Sequence, residues 1–205
     1  DSLLIQNLID HENFDKIKIN DSYSNFLASS NQELEDKYIL SLGNLGVHYY
    51  KNKNYDDAIK YFELAVNQKV KKTPWIHIDK KWIGSCYYSK KDYTKAIKYF
   101  KDELKILKKT NFLQDISSAY YNIAESMNMK DMYDSSSIYL DSAIYILDDL
   151  ILNVDERDKV NVINAQIEKI QLQTYNYFKI NDVENIISIT QKYRSAILKE
   201  KLNIE

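Results

Sequence analysis

Three glycines and one proline in 205 residues leave this chain short of the two residue types that punctuate a β-sheet. All-β chains need turn signals at intervals of about 8–12 residues, so a sheet architecture is excluded and helices joined by short polar turns remain. Cysteine is equally scarce. The single Cys86 rules out an internal disulfide framework and a cysteine-based zinc site. Arginine occurs only at Arg157 and Arg194 among 28 basic residues, and the net charge is −2. The bidentate fork that reads phosphates and bases is therefore scarce, and no nucleic-acid partner is expected for this segment. No apolar run approaches the roughly 20 residues that span a bilayer, so no membrane insertion is expected of it either. The sequence begins at Asp1 rather than Met. It reads as a trimmed or processed segment, which leaves open an anchor, leader or output domain outside it.

Catalytic motifs are absent as well. Three glycines cannot build a phosphate loop, a dinucleotide fingerprint or a nucleophile elbow. His11, His48 and His77 lack the i, i+4 pairing of a helix-borne metal site. The pairs Asp148-Asp149 and Asp155-Glu156 read as solvated turns rather than an acid–base couple. The expectation is a protein that is not an enzyme and holds no cofactor or metal, with Cys86 as a packing residue.

What the chain does have is a repeat. Ala-Ile-Lys-Tyr-Phe at 58–62 recurs unchanged at 96–100, 38 positions on, inside the longer matches Tyr55 to Phe62 and Tyr93 to Phe100. A weaker third copy runs from Tyr133 to Leu140, 40 positions further. Upstream, Leu42, Leu45, Gly46 and Tyr49 precede Tyr55, Ala58, Phe62 and Ala65 in the first copy. The second copy has Lys80, Ile83, Gly84, Tyr87, Tyr93, Ala96, Phe100 and Leu104, and the third Tyr120, Ile123, Ala124, Met127, Tyr133, Ser136, Leu140 and Ala143. Two antiparallel helices approach closely only where both carry small side chains. Three small pairs satisfy this: Gly46 with Ala58, Gly84 with Ala96, and Ala124 with Ser136. Turn signals fall between each pair at 51–54, 90–92 and 130–131.

Over residues 39–150 this pattern resembles the tetratricopeptide repeat, a helix–turn–helix unit of about 34 residues. The resemblance implies an all-α superhelix, a solenoid of about four to five helical hairpins, as one continuous domain. Residues 1–38 are expected to form an amino-terminal helical half-repeat, with apolar positions at Leu3 to Ile9, Phe14, Ile17, Phe26 and Leu27. Residues 39–152 hold three repeats, Thr73-Pro74 opening the third helix as N-cap and first-turn proline. Residues 153–205 form a divergent hairpin that caps the stack: a long helix from Asp155 to Lys179 with Val160, Ile163, Ile167, Ile170 and Tyr177 on an apolar face, then a final helix to about Leu202.

In that family the concave groove is lined by the face of each first helix opposite the hairpin contact. Carried over by register, the peptide-binding candidates are Asn44, Val47 and Tyr50 in the first copy, Lys81, Trp82, Ser85 and Tyr88 in the second, and Tyr121, Asn122, Glu125 and Asn128 in the third. Leu40, Gly43 and Ile78 share the same faces. Aromatics supply contact area at low entropic cost, and asparagine both donates to and accepts from a peptide backbone. Trp82 is expected off the packing stripe, flanked by Tyr50 and Tyr121; the alternative is that it and the tyrosines pack against neighbouring repeats. The family's clamp for a terminal carboxylate is not reproduced, because only Asn44 and Lys81 resemble parts of it and Val47 stands where asparagine is required. The resemblance implies a scaffold that binds a protein or peptide, as the sensor or interaction part of a bacterial regulator. It would be cytoplasmic, or periplasmic if an anchor flanks the segment. The alternative function is self-association as a homo-oligomer.

Overall fold

The computed structural model describes residues 32–69, 75–153 and 155–202. The amino-terminal apolar positions from Leu3 to Leu27 and the Thr73-Pro74 cap lie outside the described residues. Among those described, eight helices follow one another: α1 Gln32–Lys51, α2 Tyr55–Lys69, α3 Ile76–Ser89, α4 Tyr93–Leu107, α5 Leu113–Asn128, α6 Tyr133–Asn153, α7 Glu156–Lys179 and α8 Val183–Leu202. The fold is of the all-α helical-repeat class, and it divides into two compact units, residues 1–86 and 87–205.

In the first unit, Leu42 and Leu45 of α1 pack on Tyr61 and Ala65 of α2. Tyr49 stacks on Tyr61 with ring centroids 5.2 Å apart. The close approach predicted at Gly46 is real, and its main partner is the Phe62 ring: a Cβ built on Gly46 would lie 2.6 Å from Phe62 Cε1. Ala58, Phe62 and Ala65 are sealed from solvent beneath it.

The second unit has its core between α4 and α5, where Ala96, Phe100, Leu104 and Leu107 meet Ile116, Ala119, Ile123 and Met127. The α5–α6 hairpin keeps the small pair Ala124 and Ser136 in contact, and the Ser136 hydroxyl donates to the Ala124 carbonyl at 2.9 Å. The polar side chain thus fits the crossing by spending its proton on the neighbouring backbone.

Among the described residues, four hairpin turns are built alike. Lys53, Lys91, Asp131 and Asn181 sit at φ 59°, 63°, 57° and 56°, the left-handed region that usually calls for glycine. At each, the left-handed residue donates its N–H to the carbonyl three residues back, as Lys91 does to Tyr88 at 2.9 Å, and the next residue reaches five back, as Asp92 does to Tyr87 at 2.9 Å. This double bond pattern satisfies the last carbonyls of the first helix, and the glycine-poor chain forms it with lysine, aspartate and asparagine. The next helix is then capped from the same turn. Asp92 Oδ1 accepts from the Lys95 N–H at 3.1 Å, and Asp182 Oδ1 from the Asn185 N–H at 3.1 Å.

Two expectations for the carboxy-terminal region need correction. Helix α6 does not end at Asp148-Asp149 but continues to Asn153, so Asp148 is a half-buried helical residue and not a turn residue. The buried face of α7 is also more polar than an apolar stripe. Gln166, Lys169, Gln173 and Asn176, spaced three and four apart, are buried along with Val162, Ile167 and Ile170. They are tolerated because α6 supplies partners: Asn176 donates to Ser136 Oγ at 3.0 Å, and Gln173 to Asp141 Oδ1 at 2.7 Å.

Candidate interaction grooves

The candidate residues fall into two groups, one in each unit. In the first unit, Leu40, Gly43, Asn44 and Val47 recur at three- and four-residue spacing along one face of α1, and Trp75, Ile78, Asp79 and Trp82 do the same at and along α3. Both faces line a cavity of about 570 Å³ with Phe62 at its floor. Its walls are apolar and open to solvent: Leu40 is 64% exposed, Trp75 51% and Ile78 40%. Asn44 is an exposed amide between them, while Asp79 is buried. Trp82 is half-buried. Its indole lies parallel to the Phe62 ring at 5.9 Å between centroids and meets Tyr50 edge-on at 5.1 Å. It is therefore a groove wall and a packing residue at once, because the face it presents to the groove backs directly onto the ring that Gly46 admits. Lys81 and Ser85 are half-buried but do not line the cavity; the Ser85 hydroxyl is turned back onto the Lys81 carbonyl at 3.1 Å.

In the second unit Tyr88, Tyr121 and Glu125 form a cluster. Both tyrosine hydroxyls bond to the Glu125 carboxylate, and burial together with that neighbouring negative charge pushes each phenol up to about 12. Burial also raises the Glu125 carboxyl above its ordinary value, an effect the two hydroxyls oppose and Glu168 reinforces. The Lys169 ammonium stands 4.9 Å from the centre of the Tyr121 ring and is held below its usual value by burial. Asn122 is half-buried on the same helix. Asn128 is already engaged, since its amide donates to Asn176 Oδ1 of α7 at 2.5 Å. The sequence register assigns it to a ligand-facing row, whereas the fourth hairpin brings in an asparagine that ties it to α7.

These hairpins can be set beside known proteins. The tetratricopeptide repeat family model matches residues 40–69 and again residues 82–106. These two segments are tetratricopeptide repeats. Comparison with curated proteins by sequence gives no match. Among solved structures, BtubC (BKLC) from P. vanneervenii is similar with a TM-score of 0.69 at 14% identity, over 83% of this chain and 66% of that one. The apo form of RapI has a TM-score of 0.67 at 15% identity, over 87% and 61%. Aspartyl phosphate phosphatase F from Bacillus subtilis has 0.67 at 15%, over 82% and 42%. The chain thus spans 66%, 61% and 42% of these neighbours' lengths, and what it shares with them is the fold.

The groove residues that sequence reasoning passes over are Ile39, Phe62, Trp75 and Asp79. Trp75 and Asp79 carried a signal, because with Ile78 and Trp82 they complete an i, i+3, i+4, i+7 row. Phe62 did not, since its repeat position marks it only as core. No group of three or more metal-ligating side chains occurs among the described residues, and no helix among them is long and apolar enough to cross a membrane.

Proposed function

We propose that this chain is a non-catalytic interaction scaffold that takes a peptide or protein segment in the groove between α1 and α3 of its first unit. The observation that carries the reading is the set of exposed apolar side chains, Leu40, Trp75 and Ile78, around one cavity with the Asn44 amide set among them. Contiguous exposed apolar surface of this kind marks an interaction site. Trp75 and Trp82 give that surface its aromatic side chains, the residue type in which binding energy concentrates. The Asn44 amide offers one acceptor and two donors to a ligand backbone. Following the resemblance, the scaffold serves as the sensor or interaction part of a bacterial regulatory protein, acting in the cytoplasm. Selection of a displayed peptide library on the wild-type chain, with Leu40→Glu as counter-selector, tests the reading. Peptides enriched on the wild type and rejected by the variant support it, and peptides that do not distinguish the two refute it.

Self-association is a second reading with its own observation. Val183 and Ile187, one turn apart on α8, are 62% and 51% exposed, and Phe178 at the end of α7 is exposed with them. A concentration-dependent dimer in light scattering that Ile187→Glu abolishes would favour this reading over a monomeric scaffold.

A further inference from the structure

We propose that the floor of the α1–α3 groove is a subsite for one basic side chain, a lysine or arginine carried by an otherwise apolar peptide segment, held by Asp79 across a notch at Gly43. The inference rests on the reading of that groove as the binding surface, and specifies the chemistry of its ligand. Asp79 is the one ionisable side chain among the described residues that line the cavity; the others are apolar apart from the Asn44 amide. The lining therefore offers a ligand one negative charge and no positive one. Asp79 is only 2% exposed and stands in the first turn of α3, where the helix dipole favours negative charge. A cation brought there meets a carboxylate shielded from water, and the attraction is several times stronger than at a solvated surface.

Gly43 opens the way to that carboxylate. A Cβ built on it would have Asp79 Oδ1 at 3.6 Å and, beyond the adjoining residues and turns of α1 itself, no other atom within 4 Å. The carboxylate oxygen thus borders open space at a point where α1 carries no side chain. A ligand nitrogen about 0.8 Å nearer the oxygen would be at charge-assisted hydrogen-bond distance. Gly46 is required by the Phe62 ring, whereas no such contact requires Gly43, although glycine weakens a helix interior relative to alanine. Letting a ligand pass close to the backbone is a use that such a glycine serves. Trp75 and Trp82 flank Asp79 at spacings of four and three residues, and all three line the cavity. Indole faces attract cations, and the alkyl stem of a lysine or arginine packs on them while its head reaches the carboxylate. An acidic side chain would meet like charge in the same place.

The test is selection of a displayed peptide library on the full wild-type chain, followed by titration of the enriched peptides into wild type, Gly43→Ala and Asp79→Asn with tryptophan emission as the readout. Peptides enriched on the wild type are expected to carry lysine or arginine at one fixed position. Replacing that residue with norleucine should cost the wild type about tenfold or more in affinity. On Gly43→Ala, where a methyl group fills the notch, and on Asp79→Asn, where the charge is gone, the same replacement should cost little, as coupled partners in a double-mutant cycle require. Gly43→Ala makes only an ordinary contact and is expected to fold, so it decides the question even if the buried Asp79 variant does not. Enriched peptides that change the emission but carry no basic residue would overturn the subsite and leave the groove standing, as would a norleucine replacement that costs Gly43→Ala as much as wild type. Peptides that bind without altering the emission would overturn both.

Discussion

The Trp82 indole lies parallel to the Phe62 ring, the two planes 3° apart and the centroids at 5.9 Å. Because Phe62 is fully buried and Trp82 half-buried, this stack joins the candidate groove to the core of the first unit. A wall built this way is rigid before any ligand arrives, which lowers the entropic cost of binding. It also means that the tryptophan cannot be removed without touching the fold.

Trp82→Ala is therefore expected to destabilise the chain by about 1–3 kcal/mol, through loss of the stack and of the Tyr50 edge contact. Leu40→Glu, at an exposed position, should stay within about 0.5 kcal/mol of wild type. Thermal melts of the two variants check the contrast. Equal stability of Trp82→Ala and wild type would show that the indole is not a packing residue.

The glycines of α1 separate the two causes for which glycine is kept in a helix. Gly46→Ala would bring a Cβ within 2.6 Å of the Phe62 ring, so overpacking should cost about 1–3 kcal/mol despite the better helix propensity of alanine. Gly43→Ala meets only Asp79 Oδ1 at 3.6 Å, an ordinary contact, and should gain up to about 1 kcal/mol. Denaturant unfolding of both variants measures the difference, and its sign is the prediction.

Lys91 offers a stabilising change. Its left-handed backbone costs a non-glycine residue about 1–2 kcal/mol, against the roughly 0.5–1 kcal/mol that glycine loses in chain entropy. Lys91→Gly should therefore raise stability by about 0.5–1 kcal/mol, seen as a melting temperature higher by a few degrees. A lower melting temperature would mean that the lysine makes a compensating contact.

Glu125 links stability to pH. Its carboxyl is raised by burial and by Glu168, so its ionised form is a burden on the folded state. That burden is absent below the unfolded value of about 4.3 and fully present above the raised folded value. Glu125→Gln, which keeps an acceptor for Tyr88 and Tyr121, should be more stable than wild type at neutral pH, with the gain vanishing on acidification to pH 3. A gain that persists at low pH would assign the effect to packing.

Much of the fold was legible in the sequence because the repeat is written in residues whose sizes matter. Gly46, Ala58, Ala124 and Ser136 mark helix crossings, and side chains there cannot be exchanged freely. The boundaries of the last two helices were equally plain, with Asp155 expected at the start of α7 and found as its N-cap. The faces of the last hairpin were not. Gln166, Gln173 and Asn176 have no place in the apolar face expected for that helix, and the positions of Asp148, Asp141 and Ser136 on the neighbouring helix show that they are bonded there. Periodicity identifies apolar faces but carries no information about which polar residues will find partners. The groove was half legible for a related reason. Asn44, Val47 and Trp82 follow from register alone, whereas Trp75 precedes the α3 segment to which the repeat register applies, and Phe62 is assigned by the repeat to the core.

Tryptophan emission tests the central claim most directly, because Trp75 and Trp82 are the only tryptophans in the chain and both line the groove. A peptide selected on the wild-type chain is titrated into it at constant protein concentration, with Leu40→Glu run in parallel under matched circular dichroism. The account predicts a saturable change in emission for the wild type and none for the folded variant. A peptide that binds both proteins with equal affinity and leaves the emission unchanged would place the interaction surface elsewhere on the molecule.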